Sequence, residues 1–318
     1  MPLTVWSSAR YTFPLPDGHR FPVAKYAMLR ERVIAEGIVA PERVVDPEAA
    51  SDDVLCLVHT TDYVRRFTTG TLDAAEIRRL GFPWSPALVE RSRRAVGGTI
   101  AAARHAFAYG TAMNLAGGTH HAFPDHGEGF CVFNDVAIAV RLLQSEGKIR
   151  RAAVVDLDVH QGNGTHAIFA GDRDVFTFSM HGGKNYPFKP MDDGPMQTAD
   201  GAWRYGLRVP GTLDMELDDG VSDTEYLRRL EEAMPRVLRD SQPELVFYLA
   251  GADPHEGDRL GRMKLTFAGL QRRDMMVLQA CREVGIPVAV VIAGGYGRAI
   301  EDTVAIHVST ARLLASIG

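Results

Sequence analysis

The stretch Ala152–His160 (AAVVDLDVH) ends an apolar run with two carboxylates and an imidazole. Read as a strand, it puts Asp158 and His160 on the same side, because side chains two residues apart share a face. They can then converge on one ion. Asp253 follows a second apolar run, Leu245–Gly251 (LVFYLAG), and offers a third ligand. Two carboxylates and an imidazole, with a coordination position left open, suit a catalytic divalent metal. Zinc is the first choice, and iron(II) is compatible with a ligand set that lacks thiolates. Taken alone, an Asp-x-Asp-x-His stretch serves equally to cap a helix or fix a loop, and an aspartate after a strand is commonly a turn residue. The argument for a metal rests on what accompanies them.

The run Thr111–Gly117 (TAMNLAG) leads into Gly117-Gly118-Thr119-His120-His121. Histidine titrates near neutrality, so two adjacent imidazoles on an irregular segment can exchange protons with a metal-activated water. Asp156 and Asn163 flank the metal stretch. Either can accept from an imidazole N–H and so choose its tautomer. A carboxylate partner makes its histidine more basic than an amide partner does, which separates the two pKa values. Gly162-Asn163-Gly164 is also rich in turn formers. At the end of Pro287–Gly294 (PVAVVIAG), Gly294-Gly295-Tyr296 combines backbone freedom with a phenol able to donate to a developing oxyanion.

These polar residues need elements to bring them together. Each follows a short, β-branched apolar run, and Val175–His181 (VFTFSMH) adds Ser179 and His181 to the set. Such runs predict strands buried on both faces. Amphipathic segments between them predict helices over Pro22–Glu36, Pro86–Tyr109, Asn134–Glu146, Asp223–Asp240, Phe267–Val284 and Arg298–Ala315. Strands alternating with helices give a mainly parallel sheet covered on both sides, a three-layer α/β/α arrangement. Ligands of such sheets bind beyond the carboxyl ends of the strands, where the polar residues sit. No linker or repeat divides the chain, so residues 1–318 read as one domain.

Composition narrows the function classes. A formal charge of −5 argues against a broad basic surface, and hence against a direct nucleic-acid partner. The three cysteines, Cys56, Cys131 and Cys281, are too scattered for a disulfide framework or a thiolate metal cluster, and they suggest a reducing compartment. There is neither a signal-like N-terminus nor a run of 18 apolar residues, so the expected location is cytoplasmic, with no membrane partner.

Five stretches in order then resemble the histone deacetylases, and within them the class IV branch and its bacterial relatives: Gly117–His121 (GGTHH), Gly129–Asp135 (GFCVFND), Asp156–Thr165 (DLDVHQGNGT), Gly251–Gly261 (GADPHEGDRLG) and Gly294–Tyr296 (GGY). His19–Tyr26 (HRFPVAKY) and Val58–Tyr63 (VHTTDY) look like the family's opening. The resemblance implies the arginase/deacetylase fold, with a parallel sheet of about eight strands. It implies zinc on Asp158, His160 and Asp253, proton handling by His120 and His121 with Asp156 and Asn163 behind them, and carbonyl polarisation by Tyr296. It implies acyl-lysine tunnel walls at Gly129, Phe130 and Tyr186. It also implies an inner monovalent cation, potassium, held at Asp156, Ser179 and Met180, with further backbone carbonyls from Asp158 and His160. Two departures stand out: Gln161 and Asn163 replace the histidine and aspartate of many members, although the class IV branch shares both.

The implied activity is hydrolysis of N-acyl amides, acetyl or longer, on lysine side chains of a peptide or protein. Acetylpolyamines or other small acylated amines are an alternative substrate class for the same chemistry. A ureohydrolase fits less well, since it calls for two metals and more aspartates. A non-catalytic acyl-lysine binder fits least, since no element of the machinery is lost. Oligomeric state and acyl-length preference leave no mark on the sequence.

Overall fold

A computed structural model describes residues 2–188 and 208–317. Eight strands form one sheet: β1 (Val5–Trp6), β2 (Val44–Val45), β3 (Thr111–Asn114), β4 (Ala152–Asp156), β5 (Val175–Gly182), β6 (Leu213–Leu217), β7 (Leu245–Leu249) and β8 (Val288–Val291). Their spatial order is β2-β1-β3-β8-β7-β4-β5-β6, and every pairing is parallel. β4, β5, β7 and β8 are buried throughout, which is why their sequences are continuous apolar runs rather than alternating ones.

The helices are α1 (Lys25–Ala35), α2 (Asp52–Leu55), α3 (Thr61–Thr69), α4 (Ala74–Leu80), α5 (Pro86–Tyr109), α6 (Asp135–Ser145), α7 (Asn163–Ile168), α8 (Asp223–Ser241), α9 (Phe267–Glu283) and α10 (Ile300–Ile317). They cover both faces, as two buried side chains demonstrate. On β3, Asn114 donates to the Ala95 carbonyl of α5. On β7, Tyr248 donates to Asp274 of α9. Asn114 pairs with Val291 and Tyr248 with Val290. Paired residues share a face while successive residues alternate, so α5 and α9 lie on opposite sides. α6 packs beside α5, and α8, α10 and α1 continue the α9 layer. The three-layer α/β/α expectation holds.

Helix starts follow local chemistry. Ser85 accepts from Leu88 N ahead of Pro86, and Thr266 accepts from Gly269 N. The predicted helices appear with ends moved by at most three residues. Three strands were not expected: β1 and β2 are two residues long, and β6 (LDMEL) is a partly exposed edge carrying charges. Two residues are too few to show a period, whereas LDMEL alternates apolar and polar residues as an edge strand does and went unread. Among the described residues, no helix is long and apolar enough to cross a membrane.

Candidate active site

The strands supply a frame and the turns after them supply the chemistry. β3, β8, β7 and β4 are successive neighbours. Their C-terminal turns carry His120–His121, Gly294–Tyr296, Asp253 and Asp158–His160 respectively. Chain order and spatial order diverge here, since β7 and β8 insert between β3 and β4. A crevice at the strand ends is the expected ligand site of such a sheet.

One detail of the expected geometry is corrected. Ala152–His160 is not a strand to its end: β4 stops at Asp156. Asp158 and His160 converge through a turn closed by their own side chains instead. Asp156 Oδ1 accepts from Asp158 N at 3.1 Å, and Asp158 Oδ1 accepts from His160 N at 2.9 Å. Asn163 opens the short helix α7.

Asp158, His160 and Asp253 are all buried and present ligand atoms within 4.8 Å of one another. His160 Nδ1 lies 2.8 Å from Asp158 Oδ1 and 3.3 Å from Asp253 Oδ2. Each carboxylate is fixed by a backbone donor: Gly294 N gives to Asp158 Oδ2 at 2.7 Å, and Val159 N gives to Asp253 Oδ1 at 2.9 Å. Asp253 Oδ2 has no hydrogen-bond partner although it is buried. Burial and the neighbouring Asp158 charge push the Asp253 carboxyl well above its usual range. Two crowded carboxylates, one with an orphaned oxygen, fit a divalent cation. Gly294 leaves room for this cluster: a Cβ there would sit 2.0 Å from Asp253 Oδ2. Beneath, fully buried Arg273 donates to the carbonyls of Gly251 (2.6 Å) and Leu157 (3.3 Å), tying together the two segments that carry the ligands.

The tandem histidines are both buried. His120 Nδ1 meets Asp156 Oδ2 at 2.6 Å, and His121 Nδ1 meets Asn163 Oδ1 at 2.7 Å. Both partner atoms are acceptors, so both histidines carry a proton on Nδ1 and turn Nε2 outward. Their basicities diverge. Burial alone would depress His120, but the Asp156 and Asp158 charges outweigh it and raise it to about 9. Burial and the adjacent His120 and His160 hold His121 well below its ordinary value.

Tyr296 is buried at the same edge, its backbone N–H given to Asp258 Oδ2 at 2.6 Å and its ring 6.5 Å from that of His160. Phe130 lies 5.9 Å from the Tyr296 ring and adopts φ 66°. A positive φ at an aromatic residue is strained and collects at ligand sites. Gly129 before it has φ 56°, and a Cβ there would come within 2.8 Å of the His121 ring. Both line the cavity that also contains His121, Asp158, His160 and Tyr296. Tyr186 stands edge-on to His121, with ring centres 4.9 Å apart.

Asp156 and Ser179 are register partners across β4 and β5, with Met180 next in line. Ser179 Oγ lies 2.9 Å from His181 Nδ1. His181 therefore belongs to the sheet interior and does not reach the crevice as the sequence pattern had suggested. Gln161, one of the two departures, ties the turn after β4 to the start of β6: its side-chain amide donates to Val209 O and Asp214 Oδ1 and accepts from Val209 N.

Besides Arg273, three supporting residues escaped the sequence reading. Asp135 accepts from Gly118 N (3.1 Å), Thr119 N (2.8 Å) and Thr99 Oγ1 (2.5 Å), shaping the tandem-histidine turn. Asp258 accepts from Tyr296 N, Leu260 N and Gly261 N. Glu128, wholly buried, accepts from Asn163 Nδ2 at 2.8 Å. The first two lie within the motifs GFCVFND and GADPHEGDRLG, which marked them without revealing what they hold.

Comparison with known proteins gives the family and the fold. Residues 19–311 match the histone deacetylase domain. An uncharacterized protein of Picosynechococcus sp. is 45% identical over 93% of this chain and 93% of its own length. Histone deacetylase 2 of Arabidopsis thaliana is 32% identical over 90% of this chain and 73% of its own. The acetoin utilization protein AcuC of Staphylococcus aureus is 27% identical over 84% and 69%. In fold, the chain is similar to an HDAC homolog complexed with SAHA (TM-score 0.82, 22% identity, 99% of this chain and 84% of that one) and to an HDAC homolog from Aquifex aeolicus (TM-score 0.81, 21% identity, 99% and 84%). The eight-stranded parallel sheet, the strand-end crevice and a domain match across most of its length establish that this chain belongs to the histone deacetylase family.

Proposed function

We propose that the chain is a single catalytic domain, residues 1–318, that hydrolyses the N-acyl amide of acylated lysine side chains with a divalent metal, zinc in the first instance. The observation that carries this reading is the buried Asp158–His160–Asp253 cluster, with its orphaned carboxylate oxygen, set beside the two histidines and Tyr296. These three residues would hold the ion. When bound there, a divalent metal supplies Lewis-acid polarisation of the amide carbonyl and a lowered pKa for water.

The chain's own groups do the rest. His121, its Nδ1–H committed to Asn163, offers Nε2 as the proton acceptor for the attacking water, and its depressed basicity keeps it unprotonated before the reaction. His120, with Asp156 behind it, holds a proton that it can give to the leaving lysine amine. Tyr296 donates its phenol to the carbonyl oxygen as charge develops there. Its buried position excludes water that would compete for the same oxygen. Gly129, Phe130 and Tyr186 wall the acyl-lysine stem. A monovalent cation, potassium, would sit at Asp156, Ser179 and Met180 and hold the end of β4 in place.

The test is hydrolysis of acyl-lysine peptides of rising chain length beside a set of acetylated polyamines, with and without chelator. Chelator-sensitive turnover of the peptides supports the reading. Turnover of the polyamines alone transfers the same chemistry to small amines, and turnover of neither removes the deacylase reading.

A further inference from the structure

The hydrogen-bond chain behind His121 has a third member. Asn163 Oδ1 faces His121 Nδ1 at 2.7 Å, and Asn163 Nδ2 gives to Glu128 Oε1 at 2.8 Å. Glu128 is fully buried and also takes a hydrogen bond from the Tyr186 hydroxyl. Arg79 interacts with it electrostatically, and His126 Nε2 lies 3.9 Å from its Oε2. Nothing in the mechanism above uses this carboxylate.

An amide between two groups can point either way. Asparagine presents an acceptor at one end and donors at the other, and a flip exchanges them. With Oδ1 toward His121, the imidazole must be protonated on Nδ1, leaving a lone pair on Nε2. With Nδ2 toward His121, the proton moves to Nε2 and the ring can no longer accept from water. Asn163 alone does not choose between these states, although Gly164 N gives to its Oδ1 at 3.0 Å and favours the first. A carboxylate at the other end enforces that choice, because it only accepts. Glu128 claims the Nδ2 end of Asn163, so Oδ1 must face the histidine.

We infer that Glu128 is a positioning residue that sets the direction of the chain His121→Asn163→Glu128, and through it the tautomer of His121. This rests on the reading of His121 as proton acceptor in amide hydrolysis. The same carboxylate binds the hydroxyl of Tyr186, so a tunnel wall and the histidine share one anchor.

The test is a four-protein set in zinc-loaded, full-length chain: wild type, Glu128→Gln, Asn163→Asp and the double variant. Turnover of an acyl-lysine peptide, bound metal and thermal midpoint are measured alongside the ¹⁵N signals of the His121 ring. Glutamine at position 128 keeps the shape and can donate or accept, so it removes the carboxylate's constraint and leaves only Gly164 N to hold the direction. The expected result is a mixture of His121 tautomers, with kcat lowered roughly 10- to 100-fold and KM and metal content unchanged, the usual scale for residues behind a reacting group. Asn163→Asp alone sets two carboxyls face to face and lowers the midpoint. In the double variant the carboxylate introduced at position 163 is again an acceptor-only partner for His121, while the amide introduced at position 128 donates to that carboxylate. The Nδ1–H tautomer returns and most of the lost turnover with it, a strong departure from additivity. The inference is overturned if Glu128→Gln keeps the wild-type tautomer and rate, or if the double variant is no faster than Glu128→Gln. It is equally overturned if only the midpoints are coupled. A wild type that hydrolyses no acyl-lysine would sink the deacylase reading instead, and the ring ¹⁵N signals would still decide the direction of the chain.

Discussion

At the scale of single residues, the proposed mechanism needs groups that touch the reacting atoms and groups that aim them. Tyr296 is proposed for the first task. Replacing it with Phe keeps the ring against Phe130 and His160 and removes only the hydroxyl. Loss of one oxyanion donor lowers kcat by about two to three orders of magnitude. Steady-state kinetics on an acyl-lysine peptide should find that drop with metal content intact, and near-normal turnover would contradict the assigned role. Asp253→Ala belongs to the same scale but predicts a different failure. It removes a ligand and leaves Asp158 and His160 facing each other, so the purified variant should contain little metal when analysed by mass spectrometry. Sequence showed both residues well, because each is a chemically distinctive group placed just after an apolar run. Glu128 was not legible in the same way. A glutamate between two glycines carries no period and no neighbour that hints at burial, and its partner Asn163 lies 35 positions away.

At the scale of elements, the turns after the strands are held by carboxylates such as Asp135 and Asp258 that do not line the cavity. Asp135, the first residue of α6, accepts from two backbone N–H groups of the Gly118–Thr119 turn. Asp135→Ala leaves those buried donors unpaired, at about 1–3 kcal/mol each. Chemical denaturation should therefore read a loss of several kcal/mol, and turnover should fall because His120 and His121 lose their fixed approach. An unchanged unfolding midpoint would mean that the turn holds its shape without Asp135. The elements themselves were partly visible from sequence. Long buried strands and amphipathic helices impose a pattern over many residues, and five strand cores and six helices follow it. What the pattern misjudged was where strands stop. The apolar runs continue past the end of the regular strand because the turn residues Leu157 and Val159 are buried as deeply as the strand they leave. Apolarity reports burial rather than pairing, so Asp158 and His160 appeared to share a strand face when a turn brings them together.

At the scale of the whole molecule, the fold buries histidines that do not line the crevice, and these shape its response to acid. His59, between the Phe123 carbonyl and the Asn134 N–H, is lowered by burial to about 4. His181 is lowered to about 3, and His307 lies well below its ordinary value, both because of burial. The unfolded chain, with ordinary histidines near 6.5, binds more protons than the folded chain between these limits. The contribution of these three rings is thus fully present above about pH 6.5 and declines as pH falls toward 4. His59 alone contributes a decline of about 3 kcal/mol across that window. Urea unfolding at stepped pH values should follow this slope, and His59→Gln should flatten part of it. A wild-type midpoint that stays level from pH 7 to 5 would contradict the account of these buried rings.

The same fold gathers turns from four neighbouring strands at one edge, and the central claim is that three of their side chains hold a single divalent ion. Total metal analysis of the purified chain measures this directly. The account predicts one divalent ion per chain in the wild type, lost in Asp253→Ala and in Asp158→Ala. No bound metal in an active wild type, or two ions per chain, would contradict it.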